Sequence, residues 1–311
     1  MTHSLANFMK RFFSHYLPVQ KGLSANTIAA YRDAIKLFLC YAADAIRKPL
    51  DKLAVEDMTE KVVLGFLDYV QEVRSCSART RNARLVATQS LFAFIAREEP
   101  ELLAQCQTIR AIPLKRTEHR TVDYLEENEM QAILDSVKSN SRTAIRDRAL
   151  FLLLYNTGAR VSEIVELKLC DLRLDGIPQV DLLGKGRKHR ACPLWPETVA
   201  ALCTYLKQRT AKQPTTEHLF LNANGVAITR FGIRHITAKN AAAGEHRCPS
   251  LKTKTVSPHT IRHTTAVHLL RAGVDINTIR AWLGHVSLDT TNIYAEADLE
   301  MKANTNLQSM K

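Results

Sequence analysis

Apolar side chains recur at helical spacing through most of the first hundred residues, and this periodicity restricts the fold more than any other feature of the sequence. Tyr31, Ile35 and Phe38 are spaced so that they share one face of a helix. Ser24, just upstream, is a residue type that caps helix N-termini. Apolar residues recur at the same helical spacing near residues 61–73 and again after Ser77. We therefore predict a compact helical domain over residues 1–106.

Helical periodicity lapses over residues 107–121, which follow this domain. Ile112 precedes Pro113, and proline biases the residue before it toward extended backbone. The segment is basic, with Arg110, Lys115, Arg116 and Arg120. Because 311 residues suit two domains of ordinary size, we predict that residues 107–121 form a basic interdomain linker.

Residues 122–297 combine predicted helices with one β-hairpin. Helical patterns occur at 125–138, 146–155, 159 onward, 197–209, 230–243, 258–272, 276–283 and 288–297. Strand-like residues 179–183 and 189–194 flank a glycine-rich basic turn at 184–188. The predicted fold is mostly α: a helical N-terminal domain, then a mixed α/β domain with a small antiparallel sheet and a tail at 298–311.

The composition favours a nucleic-acid partner and a reducing compartment. Lys and Arg number 43 against 31 Asp and Glu, a net charge of +12 that points to nucleic acid or an anionic membrane surface. The seven cysteines are scattered without CxxC or zinc-finger spacing, which argues against a disulfide framework and structural zinc. The N-terminus lacks an apolar signal core, and no apolar run approaches the length of a membrane span. We expect a cytoplasmic protein.

One stretch near the C-terminus carries residue types suited to attack on a phosphodiester. His259 and Arg262 are three residues apart and share a helix face, and His285 and Tyr294 follow. Arginine binds phosphate oxygens bidentately, and tyrosine can form covalent intermediates. His259 and His263 also have zinc-protease spacing, but the glutamate that would act as general base is missing between them.

Each of these residues also has an ordinary explanation when taken singly. An HxxR pair is common on surfaces, His285 resembles a loop residue after a glycine that ends a helix, and Tyr294 resembles a packing tyrosine. Further upstream, Arg160 fits a solvated first turn, and Lys185 fits a hairpin that merely touches DNA. We expect the histidines at 263 and 268 to be structural. The evidence for a catalytic site is therefore that all six residues occur together and in this order. The six are Arg160, Lys185, His259, Arg262, His285 and Tyr294.

That order resembles the signature of the tyrosine recombinase (lambda-integrase) family. The matching motifs are Arg160 in Thr-Gly-Ala-Arg, Lys185 in Gly-Lys-Gly, His259-x-x-Arg262, His285 in Leu-Gly-His, and Tyr294. The resemblance covers roughly residues 120–297, and residues 1–106 are similar in length and helical character to the family's core DNA-binding domain.

The resemblance implies that Tyr294 attacks a DNA phosphodiester to give a 3′-phosphotyrosyl enzyme and a free 5′-hydroxyl. Arg160 and Arg262 would clamp the non-bridging oxygens and stabilise the transition-state charge. Lys185 would protonate the leaving 5′-oxygen. His259 would accept or return the tyrosine proton.

In the same scheme, His285 would donate a hydrogen bond to a phosphate oxygen. Covalent storage of the phosphoryl bond needs no cofactor, and the cationic side chains supply positive charge of the kind that a metal supplies elsewhere. The resemblance therefore implies a reaction without a cofactor or a metal site.

Basic residues outside the catalytic set are candidates for contacts to DNA phosphates, which provide affinity and salt dependence more than sequence choice. Arg79, Arg81 and Arg84, near the start of a helix predicted to follow Ser77, fit a solvated helix face equally well. The candidates are Arg79, Arg81, Arg84, Lys115, Arg116, Arg187, Lys188, Arg234, Lys239 and Lys252. Together they would let two domains clamp a duplex from opposite sides.

Phage integrases of the lambda type carry an extra arm-site-binding domain ahead of the core-binding domain. Since only residues 1–106 precede the predicted linker here, we expect this chain to be closer to the Xer-like or transposon-borne recombinases. The resemblance implies tetrameric synapsis on double-stranded DNA sites, with the tail 298–311 packing on a neighbouring subunit, and a free monomer or dimer. A type IB topoisomerase and a non-catalytic DNA-binding regulator remain as alternatives. Neither the target sequence nor the choice among integration, excision and dimer resolution follows from the sequence.

Overall fold

The computed structural model describes residues 4–117, 123–137, 141–184, 186, 188–210 and 217–284. The chain divides into two compact units, Met1–His119 and Arg120–Lys311. Each unit has its own hydrophobic core.

In its described part the first unit consists of helices joined by short loops, with one isolated β-bridge between Ser4 and Ala54. Its α-helices are α1 (Leu5–Arg11), α2 (Ala25–Ile46), α3 (Glu60–Asp68), α4 (Ala78–Glu98) and α5 (Leu103–Ala111). Helices α1 and α3 continue as π-helical segments, Phe12–Gln20 and Tyr69–Val73. As predicted, Ser24 caps α2, because its side chain accepts a hydrogen bond from the backbone N–H of Thr27.

Aromatic rings fill the centre of the first unit. The rings of Phe38 and Phe66 lie 5.2 Å apart, and those of Phe12 and Phe94 lie 5.6 Å apart. Phe12, Leu17, Ile35, Phe38, Phe66, Leu67, Leu85 and Phe92 are among the buried residues of this core. Burial of these faces is what holds the helices together, since short helices gain most of their stability from tertiary packing.

Residues 107–111 were wrongly expected to lack helical structure. They form the second half of α5, with Cys106, Ile109 and Ile112 buried in the first core. The polar residues between these three dilute the periodic signal in the sequence. The side-chain amide of Gln89 then donates to the carbonyl oxygens of Arg110 and Ile112, which secures the end of the helix against α4.

The second unit surrounds a small sheet with helices. Its described helices are α6 (Glu127–Ser136), α7 (Arg142–Thr157), α8 (Val161–Glu166), α9 (Pro196–Gln208), α10 (Arg230–Gly244), α11 (Pro258–Arg271) and α12 (Ile276–Leu283). Its strands are β1 (Leu172–Arg173), β2 (Gln179–Leu183) and β3 (His189–Pro193), antiparallel in the order β1-β2-β3. The predicted hairpin is confirmed, whereas the two residues of β1 were too short a segment to predict.

Alternation along the hairpin decides which side chains face the core. Val180, Leu182 and Cys192 are fully buried, and Val180 pairs with Cys192 across the two strands. Helix α7 lies within the core of this unit, with Leu150, Phe151, Leu152, Leu153 and Leu154 all buried. The C-terminal end of α7 is therefore a rigid position from which the loop to Arg160 begins.

No helix in the described ranges is long and apolar enough to cross a bilayer. Within the same ranges, no group of three or more His, Cys, Asp and Glu side chains is arranged to hold a metal ion.

Candidate active site

Arg262 lies at the centre of the candidate site, on the buried face of α11. Pro258 begins this helix and Ser257 caps it by accepting from the N–H of Thr260. The Arg262 side chain is only 1% exposed. Its Nη1 donates to the carbonyl of Gly158 at the end of α7, and its Nη2 donates to the carbonyl of Leu283 at the end of α12, both at 2.6 Å. One guanidinium therefore joins three helices.

Gly158 makes this close approach possible. Its backbone φ of +58° lies in the left-handed region, where a side chain would cost free energy. A Cβ at this position would lie 2.4 Å from Cδ2 of Leu283. Glycine therefore avoids both backbone strain at the turn that ends α7 and a clash with the Leu283 side chain of α12.

Arg160 follows two residues after this turn and reaches the same end of α12. Its Nη2 donates to the carbonyl of Gly284 at 3.2 Å, one residue beyond the carbonyl bound by Arg262. Its Nη1 donates to Oε1 of Glu163 at 2.8 Å, and its backbone N–H donates to Oε2. Arg160 is 29% exposed at the side chain. The two candidate arginines thus lie side by side, held by consecutive carbonyls.

Glu163 stays ionised beneath Arg160. Its side chain is 2% exposed, and this burial opposes the charged form, but hydrogen bonds from Arg190 and then Arg160 outweigh it and lower the pKa of Glu163. A buried carboxylate is tolerated when it is paired in this way.

His259 lies one turn before Arg262 on α11, with part of its surface open to solvent and the rest covered by protein. Its ring packs edge-on against that of His263, with centroids 4.2 Å apart. Partial burial, followed by the positive charges of Arg262 and Arg160, lowers the pKa of His259 below its usual 6.5. The imidazole is therefore mostly neutral near pH 7 and able to accept a proton.

The rate of DNA cleavage at subsaturating DNA is expected to rise with pH, with its half-rise below pH 6.5. The rate should rise as His259 loses its proton, because only the neutral imidazole can accept the proton of the nucleophile. Since the pKa of His259 is lowered, this rise in the pH–rate profile should occur at lower pH than for an ordinary histidine. Under these conditions the profile reports the free enzyme. Single-turnover rates between about pH 5 and 8 would measure it. His259→Gln should remove the limb, and a half-rise above pH 6.5 in the wild type would contradict the assignment.

Three of the six predicted catalytic residues lie outside the described residues: Lys185, His285 and Tyr294. Their immediate neighbours are described. Gly184 directly follows β2, and its N–H donates to the carbonyl of Lys188 at 2.8 Å. Gly284 ends α12 in the left-handed region with a φ of +64°, as the sequence predicted for a helix that stops at glycine. The structure brings together Arg160, His259 and Arg262.

The candidate DNA contacts differ in how they are exposed. Arg187 lies outside the described residues, and Arg84 is half-buried. The candidates that face solvent are Arg79, Lys115, Arg116, Lys188, Arg234, Lys239 and Lys252. Arg81 is 4% exposed, so the expectation of a solvated or phosphate-facing side chain does not describe it. Position 81 lies one helical turn before the buried Leu85, which places it on the inward side of α4.

Arg190 contacts residues of this site but was not singled out from the sequence. Arg190 of β3 donates through Nε to the carbonyl of Trp282 at 2.8 Å, and through Nη2 to Glu163 at 2.7 Å. A signal was present, since alternation in a strand that buries Cys192 also turns residue 190 inward. His268, expected to be structural, contacts the hydroxyl of Tyr155 at 2.6 Å through Nδ1.

Comparisons with known proteins identify the family of this chain. Residues 123–301 match the model of the phage integrase family, and residues 10–99 match the N-terminal SAM-like domain of phage integrases. The protein y4rC of Sinorhizobium fredii, named as an integrase/recombinase, is 38% identical over 96% of this chain and 90% of its own length. The tyrosine recombinase XerC of Leptospira interrogans is 31% identical over 96% of this chain and 91% of its own length.

Solved structures share the fold. XerH recombinase bound to its palindromic difH substrate superposes with a TM-score of 0.72 at 22% identity, covering 91% of this chain and 80% of that one. The Tn1549 transposon integrase in complex with circular intermediate DNA gives 0.70 at 17% identity, covering 97% and 100%. These likenesses confirm the predicted fold class. The chain belongs to the phage integrase family of tyrosine recombinases and is a site-specific DNA recombinase.

Proposed function

We propose that this chain cuts and rejoins DNA through a 3′-phosphotyrosyl intermediate formed on Tyr294, at a site completed by Arg160, Lys185, His259, Arg262 and His285. One observation carries the proposal most directly. Two guanidiniums are held on the consecutive carbonyls of Leu283 and Gly284, and the next residue in the chain is His285. Arg160 and Arg262, about 100 residues apart in the sequence, therefore meet at the end of α12.

The arginines supply the charge that phosphoryl transfer needs. A phosphodiester gains negative charge on its non-bridging oxygens in the transition state, and preorganised cations stabilise that charge without moving. Arg160 and Arg262 are already fixed by helix carbonyls and by Glu163. Guanidinium groups have five N–H donors, so bonds to the protein and to a phosphate can coexist.

Proton transfers complete the scheme. Tyr294 must lose its phenolic proton as it attacks phosphorus, and the P–O5′ bond must break with a proton delivered to the leaving oxygen. The neutral imidazole of His259 is suited to the first transfer, since its pKa is lowered. Lys185 is proposed as the donor for the second, and His285 as a hydrogen-bond donor to a phosphate oxygen. Attack by the 5′-hydroxyl of a second strand then reverses the chemistry and needs no cofactor.

Exposed basic side chains would hold the duplex against this site. Arg79, Lys115 and Arg116 belong to the first unit, and Lys188, Arg234, Lys239 and Lys252 to the second. Arg84 and the residue at 187 belong to the same proposal, whereas Arg81 lies on the inward side of α4. Such contacts give affinity that falls steeply with salt.

The proposal includes assembly and location. Recombination exchanges strands between two DNA sites, so four copies of the chain would act together, with the tail 298–311 packing on a neighbouring copy. The free chain would be a monomer or dimer. Its place of action would be the cytoplasm, where bacterial chromosomes and mobile elements lie.

A two-site plasmid assay tests this function. Duplexes that bind the chain would first be selected from a random-sequence library, and two copies of the selected site would be placed in one supercoiled plasmid. We expect deletion or inversion products from that plasmid and no relaxation of a plasmid without sites. Relaxation of both plasmids without rearranged products would favour topoisomerase activity, and binding without any strand cleavage would favour a regulator.

A further inference from the structure

Arg190 is a buried cation that the proposed chemistry does not use. It lies in β3 with a side chain only 10% exposed. Removing a guanidinium from water is costly unless hydrogen bonds and an opposite charge compensate. Two hydrogen bonds compensate this cost for Arg190: its Nη2 donates to the Glu163 carboxylate, and its Nε donates to the carbonyl of Trp282.

The carbonyl of Trp282 is one of three that share an unusual pattern of partners. The last carbonyls of a helix have no partner within the helix and carry partial negative charge. At the end of α12, the carbonyls of Trp282, Leu283 and Gly284 accept from Arg190, Arg262 and Arg160 respectively. Arg160 and Arg262 belong to the proposed catalytic set. Arg190 is the third arginine in this row of three, which binds consecutive carbonyls at the end of α12.

Glu163 connects the outer members of this row. Its Oε1 accepts from Arg160 at 2.8 Å and its Oε2 accepts from Arg190 at 2.7 Å. Three guanidiniums and one carboxylate leave this group with two excess positive charges. Without Arg190, Glu163 would have a single charged partner among these residues, and the buried carboxylate would be free to shift with Arg160.

The remaining nitrogen of Arg190 lies between two glycines. Its Nη1 is buried without a hydrogen-bond partner in the described part of the chain. A Cβ on Gly284 would come within 3.2 Å of this atom, and a Cβ on Gly184 within 3.5 Å. These glycines directly precede His285 and Lys185. Arg190 therefore packs under the two backbone positions from which proposed catalytic residues depart.

We propose that Arg190 is a positioning residue for the recombination reaction, acting through Glu163 on Arg160 and through Trp282 on the end of α12. The inference rests on the proposed function. Arg190 does not touch the phosphate in this scheme; it restricts the place of a guanidinium that does. Displacing a reacting group by about 1 Å can slow a reaction by about 100-fold.

Single-turnover covalent attachment to a nicked duplex, at saturating protein, measures this role. We expect Arg190→Met to bind the duplex normally and to attach about 100-fold more slowly than wild type. Arg190→Lys keeps the charge but cannot keep both bonds in a planar fork, so its rate should fall between the two. Unfolding by urea, followed by the fluorescence of Trp195 and Trp282 in the second unit, shows how much of each variant is folded.

A substrate with a methylphosphonate at the scissile position separates positioning from a structural role. Replacing one non-bridging oxygen by methyl removes the negative charge that Arg160 is proposed to neutralise. If Arg190 acts through Arg160, the rate deficits of Arg160→Met and Arg190→Met should both shrink to below about tenfold on this substrate. The double variant should be no slower than Arg160→Met alone on the ordinary phosphate, because coupled residues are not additive.

Arg209→Met serves as the matched control. Arg209 is another half-buried arginine of the second unit that donates to backbone carbonyls, those of His218 and Leu219. Its loss should lower stability without slowing attachment by folded protein. Equal deficits of Arg190→Met on both substrates, or none, would overturn the inference. If Arg160→Met itself attaches at the wild-type rate, the proposed function fails instead.

Discussion

Replacing Tyr294 by phenylalanine is expected to abolish covalent attachment of this chain to DNA while leaving DNA binding intact. The substitution removes one oxygen atom, which is the proposed nucleophile, and keeps the aromatic ring. No other group at the site can form the phosphotyrosyl bond, so the rate should fall on the order of 10⁴-fold or more, as it does when other covalent enzymes lose their nucleophile.

A nicked duplex carrying the selected site makes this result easy to read. Cleavage near the nick releases a short strand with its 5′-hydroxyl, which diffuses away and leaves the protein trapped on DNA. Denaturing gels then count attached protein, and mass spectrometry of the digested adduct identifies the modified peptide. Tyr124→Phe is a suitable control, because Tyr124 is a tyrosine of the same unit whose hydroxyl accepts from Arg271. Equal trapping of Tyr294→Phe and wild type would reject the nucleophile.

Arg262→Lys is expected to damage both catalysis and stability. Lysine carries a compact charge and cannot donate simultaneously in the directions of Gly158 and Leu283. At least one buried carbonyl would lose its partner, which should lower the free energy of unfolding by about 1–3 kcal/mol. The phosphate clamp would lose its bidentate geometry as well. Removing one such donor slows a reaction by about 10²–10³-fold, and we expect a loss in this range.

Two measurements on the same variant distinguish these effects. Urea unfolding followed by tryptophan fluorescence reports on the second unit, because both tryptophans, Trp195 and Trp282, belong to it. Covalent attachment at saturating DNA, under conditions where the variant is folded, gives the catalytic loss. Arg148→Lys is the control, since Arg148 pairs with the exposed Glu197 and lies outside the site. An attachment rate within tenfold of wild type would show that Arg262 is only structural.

Local signals in the sequence were sufficient for most of the secondary structure. Ser24 and Pro258 mark helix starts, and Gly158 and Gly284 mark helix ends, because capping and left-handed backbone depend on one residue and its immediate neighbours. Alternation around residues 184–188 was enough for the hairpin. The weaker signals failed where polar residues separated the buried ones, as in the last turns of α5.

Which charged side chains are buried was harder to predict from the sequence. An arginine on a helix or strand has the same letter whether it faces water, DNA or the interior. Arg81 was expected at the surface and is buried, and Arg190 was not singled out although it lies beside Glu163. Both lie on inward positions of their elements, so periodicity applied to charged residues would have indicated them.

The sequence by itself determined the family, the order of the six candidate residues and the helices at which Arg160, His259 and Arg262 lie, because motifs and short-range periodicity are properties of neighbouring residues. Only the tertiary structure decided that Arg160, Arg190 and Arg262 meet on three consecutive carbonyls at the end of α12. The physical reason is that buried cations must find partners, and those partners lie about 20 to 120 residues away along the chain. Such distances are closed by packing of the core, which local sequence does not encode.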